Sequence, residues 1–174
     1  MKKLEVFGAA KLKGQVKISG SKNASLPILA ATLLSDKRIS LTNIPRVKDV
    51  ETMIKLLESM GSKVKVLKNK NSLIIQNDKI IKAEASYDLM STMRAGIIVL
   101  GPLLARFGKA RASIPGGCNL GFRPIDIHLE ALKKMGVKYK LVDGYINAKA
   151  KNGLVGAKIK FPKISVGATE NLMI

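Results

Sequence analysis

A chain of 174 residues, 47% of them hydrophobic, has room for one domain or a domain plus part of another, and this composition argues against disorder. Aromatics make up only 4% and Trp is absent, so the core must be built from Leu, Ile, Val, Ala and Met. The net charge of +19 favours anionic ligands at low salt, while the single thiol, Cys118, excludes an internal disulfide and a thiolate zinc cluster.

Two lysines near the N-terminus are followed by no apolar run of signal-peptide length. The longest apolar stretch, Ala95 to Ala105, falls short of the roughly 20 residues that span a bilayer and is interrupted by Pro102. The expectation is a soluble cytoplasmic protein with no membrane partner. Much of the positive charge alternates with apolar residues, as in Lys63-Val64-Lys65-Val66 and Lys138-Tyr139-Lys140-Leu141, the pattern of solvated strand faces. Two readings of the charge stand side by side: an ordinary lysine-rich surface, or a role with an anionic partner. A clustered basic stripe with interleaved aromatics is absent, which argues against a nucleic-acid-binding module.

In chain order, the first predicted helix runs from about Ala24 to Leu34 and is followed by a short strand from Arg38 to Leu41. An amphipathic helix then ends at Met60-Gly61, a glycine C-cap, before the strand that contains Lys63 to Val66 and a further strand from Ser72 to Gln76. The pattern then repeats. A helix from about Leu89 to Ala105, with Pro102 in position to bend its last turn, precedes a strand from Ala110 to Ile114. A second amphipathic helix ends at Met135-Gly136, followed by the strand around Lys138 to Leu141 and another from Gly144 to Ala148. The segment Ser165-Val166-Gly167-Ala168-Thr169-Glu170-Asn171-Leu172-Met173-Ile174 reads as the opening helix of a third unit. After about one turn it would have nowhere to bury Leu172, Met173 and Ile174, which suggests either a flexible tail or a truncated unit.

Between the strand from Ala110 to Ile114 and the second amphipathic helix lies a loop that reads Pro115-Gly116-Gly117-Cys118-Asn119-Leu120-Gly121-Phe122-Arg123-Pro124-Ile125-Asp126-Ile127-His128. Its glycines and prolines exclude regular structure. A thiol there is either accessible and activated by Arg123 or an ordinary packed Cys, and the residues leave both open. Asp126 suits a helix N-cap. His128, the chain's one His, reads by itself as a packed or surface residue.

This loop resembles the catalytic-loop motif of the UDP-N-acetylglucosamine 1-carboxyvinyltransferases, Pro-Gly-Gly-Cys-x-x-Gly-x-Arg-Pro-x-Asp-x-His, at every fixed position. Three further segments are similar in order and spacing: Gly20-Ser21-Lys22-Asn23-Ala24, Tyr87-Asp88-Leu89-Met90-Ser91-Thr92-Met93-Arg94-Ala95, and Lys163-Ile164-Ser165-Val166-Gly167-Ala168-Thr169. The resemblance implies an α+β fold, an inside-out α/β barrel (α–β prism) lobe of helix-strand-helix-strand units with helices facing inward. It places the units at about residues 21–85 and 86–160, with a third beginning at about 161–174. Residues 1–20 would form strands that join a second lobe.

The activity implied is transfer of the enolpyruvyl group of phosphoenolpyruvate to the 3-hydroxyl of UDP-N-acetylglucosamine, the first committed step of peptidoglycan precursor synthesis. By resemblance, Cys118 is the catalytic acid or covalent nucleophile and the site of alkylation by fosfomycin. Lys22 and Asn23 bind phosphoenolpyruvate. Arg94, Arg123, Pro124, Ile125, Asp126, Ile127, Lys163, Ile164, Ser165, Val166 and Gly167 bind the sugar nucleotide. No metal or organic cofactor is implied, and no nucleic-acid partner. Members of the family are more than twice this long, so this chain is expected to be an N-terminal portion, inactive without the second lobe. The alternative is a non-catalytic remnant that still binds the sugar nucleotide.

Overall fold

The computed structural model describes residues 3–8, 11–67, 71–80, 82–115 and 125–174. Helix α1, Lys22–Ala31, starts where the Ser21 hydroxyl accepts a hydrogen bond from the Ala24 amide and ends in a 3-10 turn, Thr32–Leu34. Strand β1 covers Ile39–Leu41 and helix α2 covers Lys48–Ser59, whose Val50, Met53, Leu56 and Leu57 form the buried stripe. Strands β2, Lys63–Val66, and β3, Leu73–Gln76, complete the first unit.

The second unit opens differently from the sequence expectation. In place of one helix from Leu89 to Ala105 there is a short helix α3, Tyr87–Met90, a 3-10 segment, Arg94–Val99, and helix α4, Leu100–Phe107. The break has a local cause: the Ser91 and Thr92 hydroxyls donate to the carbonyls of Asp88 and Leu89, and Met93 adopts an extended backbone. Pro102 sits in the first turn of α4, where its missing N–H costs little, and does not bend the last turn. A two-residue strand the sequence did not announce, β4, Glu84–Ala85, precedes the break. Strand β5, Lys109–Ser113, helix α5, Asp126–Lys134, and strands β6, Lys138–Val142, and β7, Tyr145–Lys149, follow.

The repeat holds at the level of topology. The first sheet has the order β1-β3-β2 and the second β4-β5-β7-β6, so β1, β3 and β2 correspond to β5, β7 and β6, all paired antiparallel. The one addition is β4, which joins the second sheet parallel to β5. Gly61 and Gly136, at the matched helix ends, have φ of 109° and 90°, a backbone that favours glycine in both units. The β6–β7 turn is Asp143-Gly144, both at positive φ, as a tight hairpin requires.

The helices pack on one another at the centre and the sheets lie outside them: α1 against α2 and the 3-10 segment, and the last helix, α6 (Val166–Met173), against α4, α5 and that same segment. Leu29, Leu33, Met53, Leu56, Leu100, Leu103 and Leu104 are inaccessible to solvent. Each such side chain contributes on the order of 2 kcal/mol by leaving water. Arg106 joins the units by donating to the carbonyls of Leu33, Ser35 and Asn77 at 2.8, 3.2 and 2.9 Å, while the buried Asn77 amide donates to Thr32.

The expectation that α6 would find no place to bury its apolar side is corrected. It runs two turns, buries Ala168 and Asn171, and packs Leu172 and Ile174 against the core, leaving Met173 82% exposed. By contrast, the described residues before Gly20 form no strand, and Leu4, Phe7, Leu12 and Val16 are almost fully exposed. Among the described residues, no helix is long and apolar enough to cross a membrane.

Candidate functional site

A cleft of about 560 Å³ opens where the first turn of α1, the start of the 3-10 segment, α5 and the approach to α6 meet. Its walls thus come from both repeated units and from the segment that leads into α6. Serine caps prepare two of its walls identically: Ser21 accepts from the Ala24 amide and Ser165 from the Ala168 amide, both at 3.3 Å. The start of a helix carries a partial positive charge that suits an anion, and Asn23 of α1 and Val166 and Gly167 of α6 bring two such starts to the cleft.

Asn23 reaches the cleft from α1, and beside it Leu26 and Pro27 supply an apolar wall. Pro27 lies inside the helix and has no N–H to offer the Asn23 carbonyl. Arg94 enters half-buried at the head of the 3-10 segment, an outcome of the break at residues 91–93. Ile97, Ile98, Ile125 and Ile127 extend the apolar wall, and Lys163 brings a second cation. Ile164, Ser165, Val166 and Gly167 form the rim at the start of α6. A floor of aliphatic carbon with cations and amides at its edge fits a ligand with one flat or apolar part and one strongly anionic part.

Nine of the sequence-predicted residues thus share one cleft although they come from four separated stretches of chain: Asn23, Arg94, Ile125, Ile127, Lys163, Ile164, Ser165, Val166 and Gly167. Two lie elsewhere. The Lys22 ammonium donates to the Asp49 carboxylate at 2.8 Å and is not part of the cleft wall. Asp126, exposed in the first turn of α5, borders a smaller groove formed with residues 159–162. Cys118, Arg123 and Pro124 lie outside the described residues, which resume at Ile125 beside the cleft.

Sequence reasoning passed over two polar members of the cleft, His128 and Glu170. His128 is 7% exposed and its pKa is lowered to about 4, chiefly by burial, with the nearby Asp126 carboxylate opposing. The ring is therefore neutral at physiological pH. Burial also raises the Glu170 carboxyl above its ordinary range. The signal for both was helical spacing: Gly167, Glu170 and Asn171 fall on one face of α6 and meet the His that ends the loop motif.

Comparison with known proteins agrees with this architecture. Residues 6–174 match the family model of EPSP synthase (3-phosphoshikimate 1-carboxyvinyltransferase), and the chain belongs to that family. Within it, the curated UDP-N-acetylglucosamine 1-carboxyvinyltransferase of Pelagibacter ubique (strain HTCC1062) is 70% identical over 174 residues, all of this chain and 41% of the relative. The protein of the same name from Sulfurovum sp. (strain NBC37-1) is 51% identical over 175 residues, again covering 41% of its length. The chain therefore spans about two-fifths of the length of these relatives. Among solved structures, the enolpyruvyl transferase NikO from Streptomyces tendae superposes with a TM-score of 0.69 at 21% identity, over 85% of this chain and 32% of that one. An EPSP synthase from Acinetobacter baumannii gives 0.67 at 15% identity, over 91% and 37%. Those two likenesses establish the α+β fold.

Proposed function

We propose that this chain is the sugar-nucleotide-binding part of an enzyme that transfers the enolpyruvyl group of phosphoenolpyruvate to the 3-hydroxyl of UDP-N-acetylglucosamine, releasing phosphate. The observation that carries the reading is the convergence of Asn23, Arg94, Ile125, Ile127 and Lys163–Gly167 on one cleft. The 70% identity to a curated relative of that name supports the choice of acceptor.

In this reading the uracil and sugar lie on the isoleucine wall, and the diphosphate meets Lys163, Arg94 and the amides at the start of α6. Attack by the sugar hydroxyl, as it loses its proton, on the central carbon of the enolpyruvyl group, with protonation of its methylene, gives a tetrahedral intermediate; loss of phosphate and of a proton from the new methyl group then yields the enolpyruvyl ether. Cys118 supplies the acid or forms the covalent adduct, Lys22 and Asn23 hold the donor, and Arg123 adds its charge on the sugar nucleotide. Lys22 must first leave Asp49, an exchange of one exposed ion pair for another. The setting is cytoplasmic peptidoglycan precursor synthesis. Residues 1–20 would pair with a second lobe, and the 174-residue chain alone would bind the sugar nucleotide without turning it over.

Titration calorimetry of the 174-residue chain with UDP-N-acetylglucosamine tests the reading. Saturable one-to-one binding, weakened at least about tenfold in Arg94→Ala and Lys163→Ala, is expected. Intact mass after fosfomycin treatment should show one adduct on Cys118, increased by the sugar nucleotide. No heat and no adduct would sink the proposal.

A further inference from the structure

His128 and Asn171 form a buried pair whose hydrogens can be assigned from geometry. The Gly101 amide donates to Asn171 Oδ1 at 2.8 Å. A backbone N–H can only donate, so the atom it faces is the amide oxygen, and the other terminal atom of Asn171 is the NH₂. That NH₂ lies 3.1 Å from His128 Nδ1. An NH₂ can only donate in turn, so Nδ1 must be the acceptor and the proton of the neutral ring sits on Nε2. Both residues are almost wholly buried, at 7% and 1% exposure, so water does not compete for these bonds.

The geometry leaves the other edge of the ring on the ligand side. A Cβ added at Gly167 would lie 3.7 Å from His128 Cε1 and 3.8 Å from Nε2, so the absence of a side chain there keeps this edge uncovered. Gly167 and His128 both line the cleft. Gly101 is far more tightly constrained: a Cβ would strike the Asn171 carbonyl and come within 2.7 Å of its Oδ1. The Asn171 side of the pair is thus set by a position that admits no side chain, and the His128 side by one that leaves the ring edge bare.

We propose that Asn171 is a positioning residue that fixes His128 as the Nε2–H tautomer, and that this N–H donates to a phosphate oxygen of the ligand in the cleft. The proposal rests on the reading that the cleft holds a nucleotide diphosphate. A neutral N–H donor adds direction to the charges of Arg94 and Lys163, and it does so without titrating in the physiological range. The charged groups around it are Asp126 on its own helix, Glu170 on α6, Arg94 on the 3-10 segment and Lys163 before α6.

The chain has one His, so its imidazole nitrogens can be observed without ambiguity in a ¹⁵N-labelled sample. The ligand-free spectrum should show Nε2 protonated and Nδ1 bare, and UDP-N-acetylglucosamine should shift Nε2. Asn171→Asp is the decisive variant. It keeps an oxygen for Gly101 but offers only acceptors to the ring, so the neutral ring must carry its proton on Nδ1 and present a bare Nε2 to the phosphate.

Affinity in the unmodified chain should be insensitive to this ring between about pH 6 and 9. In Asn171→Asp it should be weaker by roughly tenfold to hundredfold at the alkaline end and recover as the ring takes a second proton. A purely structural role for Asn171 would not create that pH profile. Asn171→Ala, if it folds, should give mixed tautomers. An Nδ1–H tautomer in the unmodified chain, or an unchanged tautomer in Asn171→Asp, overturns the proposal. Binding by calorimetry with no response at Nε2 overturns the donor role while the reading of the cleft survives. No binding at all overturns that reading and the donor role together, and the ligand-free spectrum still decides the part assigned to Asn171.

Discussion

The opening helices of the first and second units are built from the same plan and end differently. Helix α1 has a serine cap whose hydroxyl bonds the Ala24 amide, and it runs ten residues before tightening into a 3-10 turn. Its counterpart has a serine at the matching place, Ser86, but no side-chain cap bond, and the helix stops after four residues. Hydrophobicity does not explain the difference, since both segments are rich in Leu and Ile. Competition for backbone carbonyls by Ser91 and Thr92 does, together with the tight packing of Gly96 against Met90. The consequence is functional. A continuous helix would carry Arg94 around its axis, whereas the break brings it to the cleft wall.

The largest expected effect comes at the point where α4 meets α6. Gly101→Ala places a methyl group into the Asn171 carbonyl. Overpacking together with a strained buried hydrogen bond should cost about 3 kcal/mol, read from urea denaturation. A loss below about 1 kcal/mol would mean that α6 is held less closely than its contacts indicate.

Next in size is a pH effect confined to the same joint. His128 has its folded pKa lowered to about 4 from an ordinary 6.5, so the unfolded chain binds the proton first as pH falls. Its contribution to stability is complete above about pH 6.5 and drains away toward pH 4, by as much as about 3 kcal/mol. Glu170, raised by burial, acts with the opposite sign, because its cost at neutral pH is relieved by protonation. Thermal melts across this range should therefore be compared with His128→Gln, which retains the Glu170 effect and loses the histidine one. Parallel curves for the two proteins would refute the assignment.

The smallest effects test the caps directly. Ser21→Ala and Ser165→Ala should each cost about 1 kcal/mol, while Ser86→Ala, which loses no cap bond, should cost close to nothing. Equal losses at all three sites would show that the second helix is broken for a reason other than its start.

Residues such as Met60-Gly61 and Met135-Gly136 and the alternation around Lys63 and Lys138 determined the repeat and its strands, because helix caps and strand faces are set by neighbours a few residues away. The loop motif and its three companion segments likewise marked Asn23, Arg94 and Lys163–Gly167 before any contact between them was visible. Tertiary structure alone decided the rest. The docking of α6 depends on a glycine 70 residues away, whose amide bonds Asn171. That contact also turned His128 from an isolated residue at the end of a motif into an oriented, neutral group facing the cleft. Burial and hydrogen-bond partners are properties of assembled neighbours, and a sequence lists those neighbours without saying which will meet.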